Sequence, residues 1–543
     1  MKKNNFIDGA IVATISLVFC KILGLIYVIP FYKIIGTQGG ALYSYAYSIY
    51  AVFLNLSTVG IPSAVAKIIS EYDALDYQGL KTRAYGIASK MLNYAGIVSF
   101  IILFLFANVI ANSIIGGVEG GNSVASVTIA IRVVSLALLV VPKLSILRGY
   151  FQGNKYIAPS SLSSILEQLV RVLIIIVGSY VVVNILHMPV DYAVYVAISG
   201  ATFGALSSYF YLKIKSKPYI EKDKAKQTKP EEKSITTKFI IKKIVVYAIP
   251  FVIISMLQSA YNVVDTFTVV KTLTSLNYST QIAETTIGVM STWGSKLNMI
   301  VISMSIGMTA SLIPNIVGSY AKKDFKDINE KIDLSMEMLL YTTIPMTIGI
   351  SFLSLPIWHV FYGIDSLSTN IFRVYIIQVL FYGLYSTIIT ISQSMNQTKI
   401  TIGSLIVSLL LKLVLNVPMM HLFNSLNIPA YYAPTFTDII SQFSVYLSVL
   451  YILKKKYDFK YKRICMFALK SLICSAVMIL ALIITKSIYF NNTTITAAII
   501  TIVIHTLVGA SVYFTMSHLF RLLDEVFGAG YLDKVLKKFK LKK

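Results

Sequence analysis

Long apolar runs, separated by short polar stretches, recur from one end of the chain to the other. A helix needs about twenty consecutive apolar residues to cross the hydrocarbon core of a bilayer, and most of these runs reach or exceed that length. The pattern therefore predicts an all-α integral membrane protein with about fourteen transmembrane helices. The predicted spans are 8–31, 41–69, 84–111, 124–149, 158–184, 191–213, 243–270, 283–316, 333–361, 370–393, 400–420, 430–453, 464–485 and 494–516.

Lysines and arginines fall almost entirely on one side of this predicted topology. If the N-terminus is cytoplasmic, the inside segments hold 37 of the 48 basic residues, the outside loops hold four and the spans hold seven. The positive-inside rule describes this bias, and one span more or fewer would scramble it. We therefore expect a multi-pass protein of the bacterial cell membrane with both termini in the cytoplasm. The net charge of +24 is then a topology signal, and no nucleic-acid partner is expected.

The two sides of the chain resemble each other in sequence. Arg132 and Arg373 follow similar apolar patterns, and a turn ending at Lys155 corresponds to one ending at Lys399. The steady offset between such positions predicts two related six-helix bundles, whose pseudo-symmetry axis runs along the membrane normal. Transporters built in this way bind their substrate near the middle of the membrane, between the repeats.

The polar stretches divide the chain further. The longest of them is rich in Lys, Glu and Pro and has few apolar residues to bury, which is typical of a disordered linker. The predicted segments are a six-helix bundle (1–213), a disordered cytoplasmic linker (214–242), a second six-helix bundle (243–455), two added helices (456–516) and a basic amphipathic cytoplasmic tail (517–543).

Composition supports the membrane assignment. Hydrophobic residues make up 56% of the chain and charged residues only 13%, whereas soluble domains carry roughly 25% charged residues. The three cysteines show neither a disulfide framework nor metal-ligand spacing. Since the outer loops are short and carry only scattered carboxylates, no catalytic residues, metal site or enzymatic activity is predicted.

Ionisable residues at membrane depth are costly and usually face a cavity or a partner. Lys21 and Lys296 lie in opposite halves, and neither has an acidic residue three or four positions away on its own helix. As buried cations without a local partner, they predict an anion supplied from elsewhere, such as a lipid-linked diphosphate. The alternative is that each lysine extends its ammonium group to the membrane interface. Lys67 and Arg132 are further candidates for the same anion.

Acidic residues inside the spans are fewer. Glu167 and Arg171 are spaced to pair on one helix face, either as a structural pair or as part of a substrate site. Asp265 with Asn262 could hold a proton or Na⁺ and couple transport to an ion gradient, or Asp265 could pair with Lys296. Asp438, near the start of span twelve, is interpreted as a helix cap.

Four strings carry a family resemblance: CKILGLIYVIPFYKIIG, NLSTVGIPSAVAKIISEY, LRGYFQGNKYIAPSSLSSILEQLVRV and WGSKLNMIVISMSIGMTASLIP. They resemble the polysaccharide transporter family of the multidrug/oligosaccharidyl-lipid/polysaccharide (MOP) exporter superfamily, in its YtgP/SpoVB-like branch with the MurJ-type lipid II flippases. Lys21 matches the family's basic residue before the LG of span one, and Lys296 falls near the basic residue of span eight. Tyr27 stands where the Gram-negative members have a second basic residue.

The resemblance implies alternating access around a cationic cavity and movement of an undecaprenyl-diphosphate-linked glycolipid from the inner to the outer leaflet. It implies no cofactor beyond coupling to membrane potential, Na⁺ or H⁺, and it suggests cell-wall synthesis proteins as partners. Flippases for teichoic-acid, capsule or spore-cortex precursors and a drug/cation antiporter of the same superfamily remain alternatives. An antiporter should have an acidic cavity, whereas basic residues predominate in these spans.

Overall fold

The computed structural model describes residues 6–58, 60–154, 156–225, 232, 234–310, 316, 318–320 and 322–528. Within these residues the regular structure is helical, as the apolar runs predict. The chain divides into two compact units, Met1–Thr292 and Trp293–Lys543.

The helices of the first unit are α1 (Phe6–Ile26), α2 (Val28–Thr58), α3 (Gly60–Ala74), α4 (Gln78–Leu105), α5 (Ala107–Ile115), α6 (Val124–Ser135), α7 (Val141–Gly153), α8 (Ile157–Leu173), α9 (Val190–Ala225), α10 (Thr237–Ser275) and α11 (Thr280–Gly288). Those of the second unit are α12 (Gly294–Ala310), α13 (Phe325–Phe352), α14 (Ser354–Tyr362), α15 (Ser366–Tyr375), α16 (Gln378–Ser394), α17 (Thr398–Ser425), α18 (Ala433–Tyr457), α19 (Lys462–Ile488), α20 (Ile495–Leu519) and α21 (Leu522–Phe527).

Many of these helices are long and apolar enough to cross a membrane. Among the described residues eleven helical stretches meet this condition, or twelve if the bent pair α13 and α14 forms one span. The other two predicted spans, the first and the eighth, coincide with α1 and with the helical stretch that contains α11 and α12. Within the described residues, each of the fourteen predicted spans therefore corresponds to helical structure.

Two glycines of the RGYFQG string allow α7 to lie close against α3. A Cβ atom at Gly149 would come within 2.8 Å of the Pro62 carbonyl oxygen, and one at Gly153 within 2.7 Å of the Ala66 carbonyl oxygen. Real side chains do not tolerate such distances to backbone, so only glycine permits this approach. The close packing fixes the position of α7, which carries Arg148.

The seventh predicted span does not group with the second bundle, to which the sequence analysis assigned it. This span is α10, and α10 packs against α2 and α3 within the first unit. The sequence repeat follows chain order, whereas the compact units follow the contacts between helices, and the two divisions differ by α10 and α11.

The predicted linker, 214–242, is more ordered than its composition suggests. Helix α9 continues through it to Ala225, and α10 begins at Thr237. Asp223 forms an ion pair of 2.9 Å with the buried ammonium group of Lys81, and Tyr150 donates a 2.5 Å hydrogen bond to the same carboxylate. A disordered segment would not supply such partners, so the prediction of disorder is wrong for 214–225. Residues 226–231 and 233 lie outside the described residues.

Glu232 provides a second attachment of this segment. Its side chain is buried and accepts a 2.7 Å hydrogen bond from the backbone N–H of Leu80, in the first turn of α4. The N-cap residue of α4, Tyr77, supplies no side-chain hydrogen bond of its own. A carboxylate at a helix N-terminus satisfies an open donor and interacts favourably with the helix dipole. The segment therefore caps a membrane helix.

The predicted amphipathic tail begins as structure and then leaves the described region. Helix α20 ends at Leu519 and the short helix α21 follows, while 529–543 lie outside the described residues. Glu525 of α21 forms a 2.5 Å ion pair with Lys470 of α19. This pair attaches the start of the tail to the second unit.

Candidate anion-binding cluster in the first unit

Two arginines share one carboxylate at the contact of α7 and α8. Arg148 forms an ion pair of 2.8 Å with one Glu167 oxygen, and Arg171 pairs with the other oxygen. Arg148 also donates hydrogen bonds to the hydroxyls of Ser163, at 2.8 Å, and Ser208, at 3.2 Å. This arginine–carboxylate cluster (Arg148, Glu167, Arg171) carries one positive charge in excess.

The position of the cluster follows from a helical hairpin. Helices α7 and α8 are joined by a short connection near Asn154, so residues at equal distances from it face each other across the pair. Arg148 and Ser163 are such a pair, and Glu167 lies one turn beyond Ser163 on the same face of α8. The sequence analysis did not single out Arg148, although its spacing from the turn points to Glu167.

Tyrosines and the first helix surround the arginines. Tyr43, Tyr47 and Tyr50 of α2 lie within electrostatic range of the Arg171 guanidinium. Helix α1 lies beside α8. Cys20 of α1 is within electrostatic range of the charged groups of the cluster. A Cβ atom at Gly24 of α1 would lie 3.6 Å from the side chain of Gln168 on α8. The tyrosines of α2 and the helix α1, which carries Lys21, thus lie beside the positively charged cluster.

The cluster still has donors to offer. The Arg171 Nε is buried and has no hydrogen-bond partner among the described residues. A guanidinium presents five N–H donors in a planar fork that suits phosphate or carboxylate oxygens. Glu167 holds two such groups near each other, where their charges would otherwise repel. The arrangement is chemically suited to an anion with several oxygens, such as a phosphate or a diphosphate.

Lys21 and Lys296 differ from the sequence expectation of buried cations without partners. Lys21 lies on α1 with an exposed side chain, and Lys296 lies near the start of α12 and is partly buried. Each makes an interaction with neighbouring groups, so neither is without a partner. The absence of an acidic residue three or four positions away therefore did not show that these lysines lack partners.

Lys67 and Arg132 lie against aromatic rings. The Lys67 ammonium is 4.4 Å from the centre of the Tyr247 ring, and the Arg132 guanidinium is 5.3 Å from that of Phe104. Both side chains are exposed. Neither contact is part of the arginine–carboxylate cluster. Of the predicted site residues, only Glu167 and Arg171 belong to that cluster.

Asp265 and Asn262 do not share one environment. Asp265 of α10 is buried, whereas Asn262, one turn earlier, is exposed. Three positions separate the two residues, so they are neighbours on the surface of α10 although only Asp265 is buried. Their role as an oxygen cluster for a proton or Na⁺ stays a prediction. Asp265 has partners of its own in the structure.

A fully buried ion pair in the second unit was not predicted. Lys412 of α17 has no exposed surface and forms an ion pair of 2.6 Å with Asp438 of α18. Its ammonium also donates to the Pro434 carbonyl oxygen, at 3.2 Å, and the Thr437 hydroxyl, at 3.4 Å. The interpretation of Asp438 as a helix cap is wrong, because its carboxylate balances a buried cation from the neighbouring helix.

Comparisons with known proteins agree with this architecture. The family model described as "Polysaccharide biosynthesis protein" matches residues 6–320. The chain is 30% identical to the lipid II flippase MurJ of Bacillus subtilis (strain 168), over 97% of each chain. It is also 27% identical to Stage V sporulation protein B of the same organism, over 39% of each chain.

Solved structures show the same fold at lower identity. A structure of the lipid II flippase MurJ in an inward closed conformation aligns with a TM-score of 0.66 and 18% identity, over 94% of this chain and 98% of that one. An inward-facing multidrug resistance MATE family transporter of the MOP superfamily aligns with a TM-score of 0.62 and 11% identity, over 82% and 99%. The fold is thus that of the MOP superfamily in a multi-pass bacterial membrane protein. With the family model covering more than half of the sequence, the chain belongs to the polysaccharide biosynthesis protein family.

Proposed function

We propose that this protein is a flippase for a lipid-linked oligosaccharide, and that its substrate is lipid II. The observation that carries the proposal is the 30% identity to a lipid II flippase across 97% of both chains. The similarity to Stage V sporulation protein B covers much less of the chain and therefore carries less weight. Transport runs from the inner to the outer leaflet by alternating access, with no covalent chemistry.

The arginine–carboxylate cluster supports an anionic substrate. A drug or metal cation would be repelled by its excess positive charge, whereas a diphosphate would be attracted. Charge-assisted hydrogen bonds are worth roughly 1.5–3 kcal/mol each, which corresponds to about ten- to a hundredfold in affinity. We assign Arg171 the role of a phosphate contact and Arg148 that of a positioning group held by Ser163 and Ser208.

The remaining predicted residues enter as separate proposals. Lys21 and Lys296 are each proposed to contact a phosphate oxygen, and Lys67 and Arg132 are proposed to attract the headgroup electrostatically. Asp265 is proposed to couple transport to membrane potential, Na⁺ or H⁺. Both termini are proposed to be cytoplasmic, and cell-wall synthesis proteins are proposed as partners.

Substitution at the cluster tests the proposed binding site. Arg171→Ala should reduce lipid II binding about ten- to a hundredfold and abolish rescue of a flippase-depleted strain, because a phosphate contact is lost. Arg171→Lys should rescue partly, since charge is kept while the planar fork is lost. Lys460→Ala removes an exposed cation of the second unit and serves as the control. If the Arg171→Ala variant is present in the membrane at normal abundance and still binds lipid II and rescues the strain as well as the parent protein does, the assignment is contradicted.

The proposed orientation is tested with single cysteines in a variant that lacks Cys20, Cys465 and Cys474. Cysteines at the exposed positions Lys322 and Lys455 should react with an impermeant thiol reagent only after the cells are opened. Cysteines at Gly117 and Asn491 should react in intact cells. Labelling of the first two sites in intact cells would contradict cytoplasmic termini.

A further inference from the structure

A cavity of about 510 Å³ lies between α4, α7 and α9 of the first unit, and none of the three residues of the arginine–carboxylate cluster lines it. Four exposed lysines stand around it: Lys90, Lys143, Lys213 and Lys217. Glu221 is the one carboxylate among its lining residues, all of which belong to the described part of the chain. This lysine pocket therefore has a strong excess of positive charge and a volume typical of small-ligand sites.

Within the described part of the chain, no ion pair neutralises the positive charges of these lysines. Among the described residues, none of the four lysines forms an ion pair. Lys213 and Lys217 lie one turn apart on α9, where like charges repel each other. A bound anion would remove this repulsion, so the arrangement favours a negatively charged ligand.

Neutral polar groups line the wall beside the lysines. Tyr85, Ser89 and Asn93 follow each other at four-residue intervals on one face of α4. The Asn93 Oδ1 is buried and has no hydrogen-bond partner in the described structure. Tyrosine and serine hydroxyls can donate to phosphate oxygens, and Asn93 Oδ1 can accept from a hydroxyl group. The pocket thus suits a ligand that carries both a phosphate and a hydroxyl.

Two exposed apolar stripes lead away from the pocket. On α4, Tyr94, Val98, Ile101 and Leu105 continue the face that begins at Lys90. On α9, Phe203, Phe210 and Ile214 end at Lys217 in the same way. Exposed apolar faces on membrane helices are covered by acyl chains, and lysines at the end of such faces meet lipid headgroups. The stripes favour a lipid over a soluble phosphate.

We propose that the lysine pocket binds the headgroup of an anionic phospholipid, with the phosphate among the lysines and the acyl chains along α4 and α9. The chemistry that it recognises is a phosphate monoanion joined to a hydroxyl-bearing group, as in phosphatidylglycerol. This site is separate from the proposed substrate site, and the proposal holds whether or not the substrate is lipid II.

The test uses the purified full-length protein and lipids of defined charge. Phosphatidylglycerol or phosphatidylcholine is added in detergent, and the shift in thermal unfolding midpoint and the retained lipid are measured. The triple variant Lys90→Gln, Lys143→Gln, Lys217→Gln should weaken phosphatidylglycerol binding about a hundredfold, since each lysine near an anionic headgroup contributes about fivefold. The matched control Lys454→Gln, Lys455→Gln, Lys460→Gln removes three exposed lysines of the second unit and should bind like the parent.

Two further arms separate the explanations. The variant Lys90→Arg, Lys143→Arg, Lys217→Arg keeps the charges and should retain the lipid, which distinguishes lost binding from misfolding. Soluble diphosphate, added with phosphatidylcholine, should stabilise the parent and the glutamine triple variant equally, because any binding at the arginine–carboxylate cluster does not involve the pocket lysines. Equal phosphatidylglycerol binding by the glutamine triple variant and the parent would overturn the proposal. Stabilisation by soluble diphosphate that equals that by phosphatidylglycerol and is lost in the glutamine triple variant would overturn the assignment to a lipid.

Discussion

Single charged residues decide much of the stability of this membrane protein, and Glu167 is the clearest case in the first unit. Its carboxylate neutralises one of two arginines that are themselves only partly exposed. Glu167→Ala should lower the free energy of unfolding by about 3 kcal/mol, near the lower end of the cost of breaking a buried ion pair. Thermal unfolding in detergent measures this effect, with Glu119→Ala, at an exposed loop position, as the control. Equal unfolding midpoints for the two variants would contradict the claim that the ion pairs of Glu167 stabilise the protein.

Lys412 and Asp438 allow a sharper test, because both charges are buried. Lys412→Met leaves a carboxylate without its cation and should cost about 3–5 kcal/mol. The double variant Lys412→Met, Asp438→Leu removes both charges and should recover most of that loss. Comparison of the unfolding midpoints of both single variants and the double variant gives the coupling. Additive losses would show that the two side chains do not depend on each other.

The segment between α9 and α10 is an element whose role differs from its composition. Glu232 caps α4, so Glu232→Ala should speed amide hydrogen exchange in the first turn of α4, with a loss of about 0.5–2 kcal/mol typical of a removed cap. A Gly/Ser replacement of 226–231 that keeps Asp223 and Glu232 should leave this exchange unchanged. Unchanged exchange in the Glu232→Ala variant would mean that the cap contributes nothing to α4.

The positions of the helices could be predicted from the sequence far better than the contacts between side chains of different helices. Apolar runs identify the spans because the bilayer requires a certain length of apolar helix. They say nothing of contacts between distant segments, such as Asp223 with Lys81 or Glu232 with Leu80. From composition alone, the acidic and basic residues of 214–242 were therefore predicted to be exposed to solvent. In the structure some of them contact specific residues of distant helices, and composition carries no information about such contacts.

The candidate site shows the same limit. Glu167 and Arg171 could be paired from sequence because four residues separate them on one helix. Arg148 required the hairpin geometry of α7 and α8, and Lys412 with Asp438 required the packing of α17 on α18. The roles of Lys21 and Lys296 in substrate binding stay predictions, although each lysine interacts with neighbouring groups in the structure.

At the scale of the whole molecule, the central claim is transport of lipid II across a bilayer. The protein would be reconstituted into vesicles that contain fluorescent lipid II, and the fraction accessible to an impermeant quencher would be followed over time. Vesicles with the Bacillus subtilis MurJ protein serve as the positive control and protein-free vesicles as the negative control. We expect the parent protein to expose the inner pool much faster than protein-free vesicles do, and Arg171→Ala to lose most of that rate. A rate equal to that of protein-free vesicles, with the positive control active and any required ion gradient or membrane potential applied, would contradict the claim.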